Sequence, residues 1–124
     1  MTVKIFDSEL KVLDILWKEG ELTAGQLATT LKERVGWNRN TTYTVIGKLI
    51  DKGAVERFGE NFSCKALITK KEVQQHETLE LINKLFDGST EDFLSAFLSD
   101  NAQLKDEVER LKLLVRNVKE RWQI

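Results

Sequence analysis

Residues 37–53 read WNRNTTYTVIGKLIDKG and contain one complete amphipathic helix. Asn38 has a side chain typical of a helix N-cap, and Gly53 is the glycine expected just past a helix C-terminus. Four residues between them recur at helical spacing and form an inward-facing stripe: Thr42, Val45, Ile46 and Leu49. The stretch therefore predicts a short helix that is buried on one side.

Two more short helices are predicted on the N-terminal side of this stretch. Asp7 or Ser8 can cap the first helix, which ends at Gly20, and Thr23 can cap the second, which ends by Gly36. The first helix is expected to bury an apolar stripe formed by Leu10, Val12, Leu13, Leu16 and Trp17.

The hydrophobic period changes on the C-terminal side, from Ala54 onward. The segments AVERF and FSCKALI have the lengths and patterns of strands, and Gly59, Glu60 and Asn61 between them suit a hairpin turn. Three helices followed by a hairpin predict a winged helix-turn-helix domain over residues 1–70. The fold class is therefore mostly α with a small β-hairpin.

Residues 71–124 are predicted to be a helical dimerisation region. Thr69 and Glu72 form a capping box for a fourth helix that ends at Gly88, Ser89 or Thr90 caps a fifth, and Asp100 caps a sixth. The sixth helix has apolar residues at alternating steps of four and three, widened by one further leucine: Leu104, Val108, Leu111, Leu114, Val115, Val118 and Trp122. We expect this apolar seam to be buried against a second copy of the chain.

The other side of the helix in residues 37–53 is polar and almost free of acidic residues. It presents Arg39, Asn40, Tyr43, Thr44, Gly47 and Lys48. Asparagine can pair bidentately with adenine, threonine can contact a thymine methyl, and the cations reach guanine or phosphate. Gly47 weakens the helix, and closer approach to a duplex would compensate for this. This row predicts a reader of the DNA major groove, although an ordinary solvated face has the same appearance.

The hairpin adds candidates for contacts to the DNA backbone. These are Arg57, Lys65 and, near the tip, Asn61. Charged residues on exposed strands can also serve only to block edge-to-edge pairing, and this alternative interpretation of the three residues stays open.

At these residues the chain resembles the penicillinase-repressor family of BlaI, MecI and CopY-type winged-helix regulators. The matching elements are DSELKVLDILW, which ends at Trp17, the run formed by Trp37, Thr41 and Thr44, and the segment LIDKGAVER. The similarity covers nearly the whole length, and the order and spacing of the elements are more specific than any one of them.

The resemblance implies a homodimeric repressor on a dyad operator with half-sites of the TACA and TGTA kind. It places Asn40, Thr41, Tyr43, Thr44 and Lys48 on the base-reading helix, and Thr23, Arg57 and Lys65 near the DNA backbone.

The resemblance also bears on how such a repressor is released. In the antibiotic-responsive branch, the resemblance implies release from DNA by proteolysis at an Asn-Phe bond in the fifth helix. This chain has Ala96 and Phe97 at that position. The copper-responsive branch has a C-terminal cysteine cluster that this tail lacks. Neither mode of release is therefore expected here.

Composition limits the remaining possibilities. The 124 residues, 41% of them hydrophobic, suffice for one small domain with a helical appendage. We expect a cytoplasmic protein, because the sequence has neither a signal-peptide pattern nor an apolar run long enough to span a membrane. Cys64 and His76 are too few soft ligands for a tight metal site, so no metal, cofactor or small-molecule ligand is expected.

An enzyme is not expected, since the sequence has no phosphate-binding loop, no nucleophile elbow and a single histidine. The rival hypothesis is a winged helix that binds another protein and not DNA. The formal net charge of −1 keeps this alternative open. A third possibility is a repressor that senses a small molecule, for which the sequence has no pocket signature.

Overall fold

The computed structural model describes residues 3–99 and 105–122, and the chain divides into two compact units, Met1–Thr78 and Leu79–Ile124. The elements follow in the order α1 (Asp7–Glu19), β1 (Leu22–Thr23), α2 (Ala24–Val35), α3 (Arg39–Asp51), β2 (Val55–Phe58), β3 (Ser63–Ala66), α4 (Lys70–Phe86), α5 (Thr90–Ser99) and α6 (Lys105–Trp122). The expected cap Asp100, the seam residue Leu104 and the side chain of Trp122 lie outside what is described.

The first unit is built around one core to which α1, α2 and α3 all contribute. Its fully buried side chains include Leu13 from α1, Leu27 from α2 and Ile46 from α3. Val55 and Cys64 close the core from the sheet, and Val73 joins it from the first turn of α4. The three predicted helices and the hairpin are confirmed, and together they form a winged helix.

The beginning of α1 differs from the prediction. The N-cap is Phe6, which has no side-chain acceptor, and the backbone N–H of Phe6 donates to the carboxylate of Glu9 at 2.8 Å. Leu10, expected in the buried stripe, is 40% exposed, whereas Ile15 is buried. The stripe was displaced because the inward face of α1 includes Glu9, a polar residue that a hydrophobic pattern cannot assign to the core.

The sheet has three strands instead of the two predicted. β1 pairs antiparallel with β3, so that the strand order is β1-β3-β2. β2 and β3 form the expected hairpin, in which Val55 lies opposite Ala66 and Phe58 opposite Ser63. We call this hairpin, with its turn at residues 59–62, the wing.

The second unit contains the C-terminal half of α4, with α5 and α6. The backbone N–H of Asp92 donates to Ser89 Oγ at 3.0 Å, which confirms Ser89 as the cap of α5. Ala96 and Phe97 lie on α5, as expected for the position that corresponds to the Asn-Phe pair. Among the helices described, none combines the length and the apolar character needed to span a membrane.

Candidate nucleic-acid interface

The inner side of α3 fixes the helix in the first unit. Thr42, Val45, Ile46 and Leu49 are all buried, as predicted. At the N-terminus, the Asn38 side chain accepts from the backbone N–H of Thr41 at 2.8 Å, which confirms the cap.

The C-terminal end of α3 is held by a largely buried ion pair. Lys52 Nζ lies 2.6 Å from Glu9 Oε1 and also donates to the carbonyl of Lys4 at 2.8 Å. Glu9 is only 1% exposed. Because both ends and the inner side are anchored, the direction in which the other side of α3 faces is set by the core.

The outer face of α3 consists of Arg39, Asn40, Tyr43, Thr44, Gly47 and Lys48. Asn40, Thr44 and Lys48 are exposed, and within the described residues their side chains make no hydrogen bond or ion pair. A Cβ added at Gly47 would meet nothing within 4 Å. This middle part of the face therefore has polar groups that are free to bind a ligand, around a point where the backbone is uncovered.

Arg39 and Tyr43 are more constrained than their sequence positions suggest. The Tyr43 ring is half-buried and meets Phe62 edge-to-face, with ring centroids 5.7 Å apart. Arg39 Nη2 donates to the Tyr43 hydroxyl at 2.8 Å, and the guanidinium lies 5.0 Å from the centre of the ring. The two residues form the flank of the outer face that lies toward the wing.

Thr41 occupies the first turn of α3 and is engaged in the cap. Its hydroxyl donates to Asn38 Oδ1 at 3.0 Å, while its side chain stays exposed. The methyl group is therefore better available to a base than the hydroxyl.

The two cations of the wing, Arg57 and Lys65, lie on opposite sides of the hairpin. The sequence analysis named both as candidates for contacts to the DNA backbone. Arg57 lies opposite Cys64 in the register, whereas Lys65 lies opposite Glu56, so the two cations point to different sides of the hairpin. Arg57 shares its side with Phe62, and its guanidinium lies 3.9 Å from the centre of that ring. Lys65 pairs with Glu56 at 3.3 Å. Arg57 is thus the cation on the side of α3.

Thr23 and Asn61 lie outside α3. The Thr23 hydroxyl accepts from the backbone N–H of Gln26 at 3.1 Å, and the Gln26 side chain accepts from the backbone N–H of Thr23. This capping box confirms the predicted start of α2. Asn61 is exposed in the turn of the wing.

Phe62 is a member of this surface that the sequence analysis missed. It has a left-handed backbone with φ of +50°, and its carbonyl accepts from the backbone N–H of Ala24 at 2.9 Å. The only sign of its role in the sequence was that an aromatic residue occurs in the turn of the hairpin. What it packs against depends on tertiary structure, which a hairpin pattern does not contain.

The thiol of Cys64 is buried in β3. Burial raises the pKa of the Cys64 thiol, an effect that the nearby Arg57 charge partly opposes. A neutral, fully covered thiol is a poor metal ligand. His76 is half-buried on α4.

The apolar seam on α6 is largely uncovered. Val108 is half-buried, Leu111 and Val118 are exposed, and Leu114 and Val115 are 57% and 62% exposed. Further exposed apolar side chains in the second unit are Leu79, Leu81, Leu85, Leu94, Phe97 and Leu113. Uncovered apolar surface on this scale is typical of an interface.

The chain is similar to known DNA-binding repressors. The family model described as penicillinase repressor matches residues 5–117. A curated relative, the methicillin resistance regulatory protein MecI of Staphylococcus aureus (strain N315), is 24% identical over 113 residues, which cover 90% of this chain and 92% of MecI.

Two solved structures of BlaI match over 58% of this chain and 90% of theirs, each at 26% identity. One is the DNA-binding domain of the repressor BlaI, with a TM-score of 0.53. The other is monomeric BlaI of Bacillus licheniformis in complex with the blaP half-operator, with a TM-score of 0.50. Since the family model spans almost the entire length and the winged helix is the same, this chain is a member of the penicillinase repressor family.

Proposed function

We propose that this protein is a transcriptional repressor that binds a short dyad operator as a homodimer, with α3 in the major groove. The observation that carries the proposal is the outer face of α3. Asn40, Thr44 and Lys48 are exposed there without hydrogen-bond partners among the described residues, on a helix that is anchored on its other side. Groups with unused donors and acceptors on a fixed scaffold are what base recognition requires.

The BlaI half-operator complex supports this role for the fold. BlaI is similar to this chain over the winged helix, and in that structure its monomeric form is bound to a half-operator. We infer that Arg57 contacts the DNA backbone, because it is the cation of the wing on the side of α3. Thr23, Asn61 and Lys65 are secondary candidates for backbone contacts. Lys65 is the weakest, since Glu56 offsets its charge.

Dimerisation is proposed to occur through the apolar seam. Leu111, Leu114, Val115 and Val118 present apolar surface to solvent in the isolated chain. A winged helix with one recognition helix contacts few base pairs. When two copies are joined, binding to the second half-site becomes an intramolecular event. A DNA-binding role of this kind corresponds to a cytoplasmic protein without catalytic activity.

Fluorescence anisotropy with purified protein tests the proposal. The duplexes carry inverted TACA and TGTA half-sites at a series of spacings, and the controls have the same composition in shuffled order. We expect a preference of roughly a thousandfold for one spacing, with a steep decrease in affinity as salt is raised. Weak and equal binding to all duplexes would contradict the proposal, and it would favour the protein-binding module that the net charge of −1 leaves open.

A further inference from the structure

Four side chains form a continuous stack that joins α3 to the wing. Arg39 lies against Tyr43, Tyr43 meets Phe62 edge-to-face, and Arg57 covers the face of Phe62 at 3.9 Å. The two outer members are cations, and the two inner members are aromatic rings. We call this arrangement the arginine-aromatic stack.

Phe62 is one of the two inner members of the stack, and both its ring and its backbone are anchored. Its ring is half-buried against the core, and its carbonyl accepts the backbone N–H of Ala24 at the start of α2. Its φ of +50° lies in the region that side chains other than glycine rarely adopt. A glycine would satisfy this backbone without strain, so the ring itself is the reason for a phenylalanine here.

The stack orders Arg57 without neutralising it. A guanidinium on an aromatic face loses conformational freedom but keeps its full charge and its hydrogen-bond donors at the edge. Lys65 on the other side of the wing shows the contrast, because its partner is the carboxylate of Glu56. An ordered cation with unsatisfied donors is better prepared for a phosphate than a mobile or ion-paired one.

From these contacts we infer that Phe62 is a positioning residue for DNA binding: its face holds Arg57, and its edge-to-face contact with Tyr43 links it to Arg39. The inference rests on the proposed function. The two guanidiniums at the ends of the stack then contact phosphates beside the base-reading groups, on the flank of α3 that lies toward the wing. Phe62 itself contacts no DNA, and its removal lowers affinity through Arg57.

A double-mutant cycle on the preferred duplex tests this role. Arg57→Ala removes one phosphate contact from each protomer, so the slope of log affinity against log salt should decrease by about two and affinity should fall by at least about tenfold. Phe62→Leu keeps an apolar side chain but removes the ring, and it should reproduce most of this loss. In the Phe62→Leu background, Arg57→Ala should then have little further effect.

Phe58→Leu is the matched control. Phe58 is an exposed aromatic residue of the same hairpin, and its ring lies 5.8 Å from Lys65 Nζ. It lies on the other side of the wing, because Glu56 and Lys65 share its side in the register. We expect Phe58→Leu to leave the salt slope unchanged and to be additive with Arg57→Ala.

An NMR measurement on the free protein tests whether the arginine-aromatic stack forms in the absence of DNA. The ring current of Phe62 should shift the Arg57 side-chain protons upfield in NMR spectra, and Phe62→Leu, but not Phe58→Leu, should abolish the shift. If Phe62→Leu does not fold, Arg57→Lys provides the second test. It keeps the charge but cannot stack as a planar group, and it should weaken binding without lowering thermal stability.

The possible failures are distinguishable. Wild-type protein without any preference among duplexes would overturn the proposed function and this inference together. Clear operator binding in which the Phe62→Leu and Arg57→Ala losses simply add, or unshifted Arg57 protons in the wild type, would overturn the inference and leave the proposed function intact.

Discussion

At the scale of single residues, Gly47 is the most informative position on the outer face of α3. Glycine in a helix interior lowers stability by about 1 kcal/mol relative to alanine. A Cβ at this position would contact nothing within 4 Å, so the protein's own packing does not require a glycine. The proposed function supplies a reason, because a helix without a Cβ at its centre can approach base edges closely.

We therefore expect Gly47→Ala to have opposite effects on folding and on binding. The free energy of unfolding, measured by urea titration, should increase by about 1 kcal/mol, while affinity for the operator should fall by about tenfold or more. Higher stability with unchanged affinity would show that the helix does not approach DNA at this point.

Substitutions at the proposed base-reading residues and at the proposed backbone-contacting residue should have different effects on sequence preference. Asn40→Ala or Thr44→Ala should reduce the preference for operator over shuffled duplex by about tenfold to a hundredfold, because each removes a contact to a base edge. Arg57→Ala should weaken both duplexes by similar factors. Equal losses on both duplexes for Asn40→Ala and Thr44→Ala would show that the recognition face has been misassigned.

At this scale, the sequence predicted the features that depend on helical periodicity. It did not predict the contacts between residues that are distant in the sequence or that face each other across the hairpin. The buried stripe of α3 was predicted, because a helix fixes which residues share a side. That Lys65 pairs with Glu56, and that Tyr43 rests on Phe62, follows from the hairpin register and its packing on α3. Neither is contained in the spacing of residues along the chain.

At the scale of elements, the position of α3 depends on its attachment to α1. The Glu9 carboxylate accepts from the Phe6 backbone N–H and pairs with Lys52 just after the end of α3. Lys52 Nζ also lies 4.4 Å from the centre of the Phe6 ring. One buried carboxylate thus serves both as the N-terminal cap of one helix and as the C-terminal anchor of another.

Glu9→Ala should accordingly destabilise the first unit. Loss of a charged hydrogen bond at a buried site costs about 1.5–3 kcal/mol, because the Phe6 N–H loses its acceptor and Lys52 its counter-charge. Thermal unfolding followed by circular dichroism measures the change, and Glu33→Ala on the exposed side of α2 is the control. If the two variants unfold at the same temperature, the Glu9–Lys52 link contributes nothing to the fold.

Elements were predicted well wherever a cap or a glycine marks them. Thr23, Asn38 and Ser89 all cap the helices assigned to them. β1 was not predicted, because it has only two residues and is defined by its pairing with β3. α1 begins at Asp7, but neither Asp7 nor Ser8 is its N-cap. The N-cap is Phe6, and the acceptor for the Phe6 N–H comes from Glu9 inside the helix.

At the scale of the whole molecule, the proposed affinity for a dyad operator rests on the proposed dimerisation. The first unit contains its own core, and the apolar seam of the second unit is exposed. A monomer would bind one half-site at a time, which lowers affinity by about a hundredfold or more relative to a linked pair.

Val115→Asp tests the seam directly. Val115 is 62% exposed, so the substitution does not disturb the interior of one chain, but a carboxylate in a dimer interface would be desolvated without a partner. We expect a monomer by sedimentation, with operator binding reduced by about a hundredfold. Asn117→Asp adds the same charge on α6 outside the seam, and it should remain dimeric. A monomeric Val115→Asp protein with wild-type affinity would refute the role of the dimer.

Selection of bound duplexes from a random pool, with the purified 124-residue protein at a stated salt concentration, tests DNA recognition and dimer formation together. We expect enrichment of two inverted half-sites at a fixed spacing, and Asn40→Ala should relax the preference within each half-site. A pool that stays random, or that converges on single half-sites without a dyad, would contradict operator recognition by a dimer.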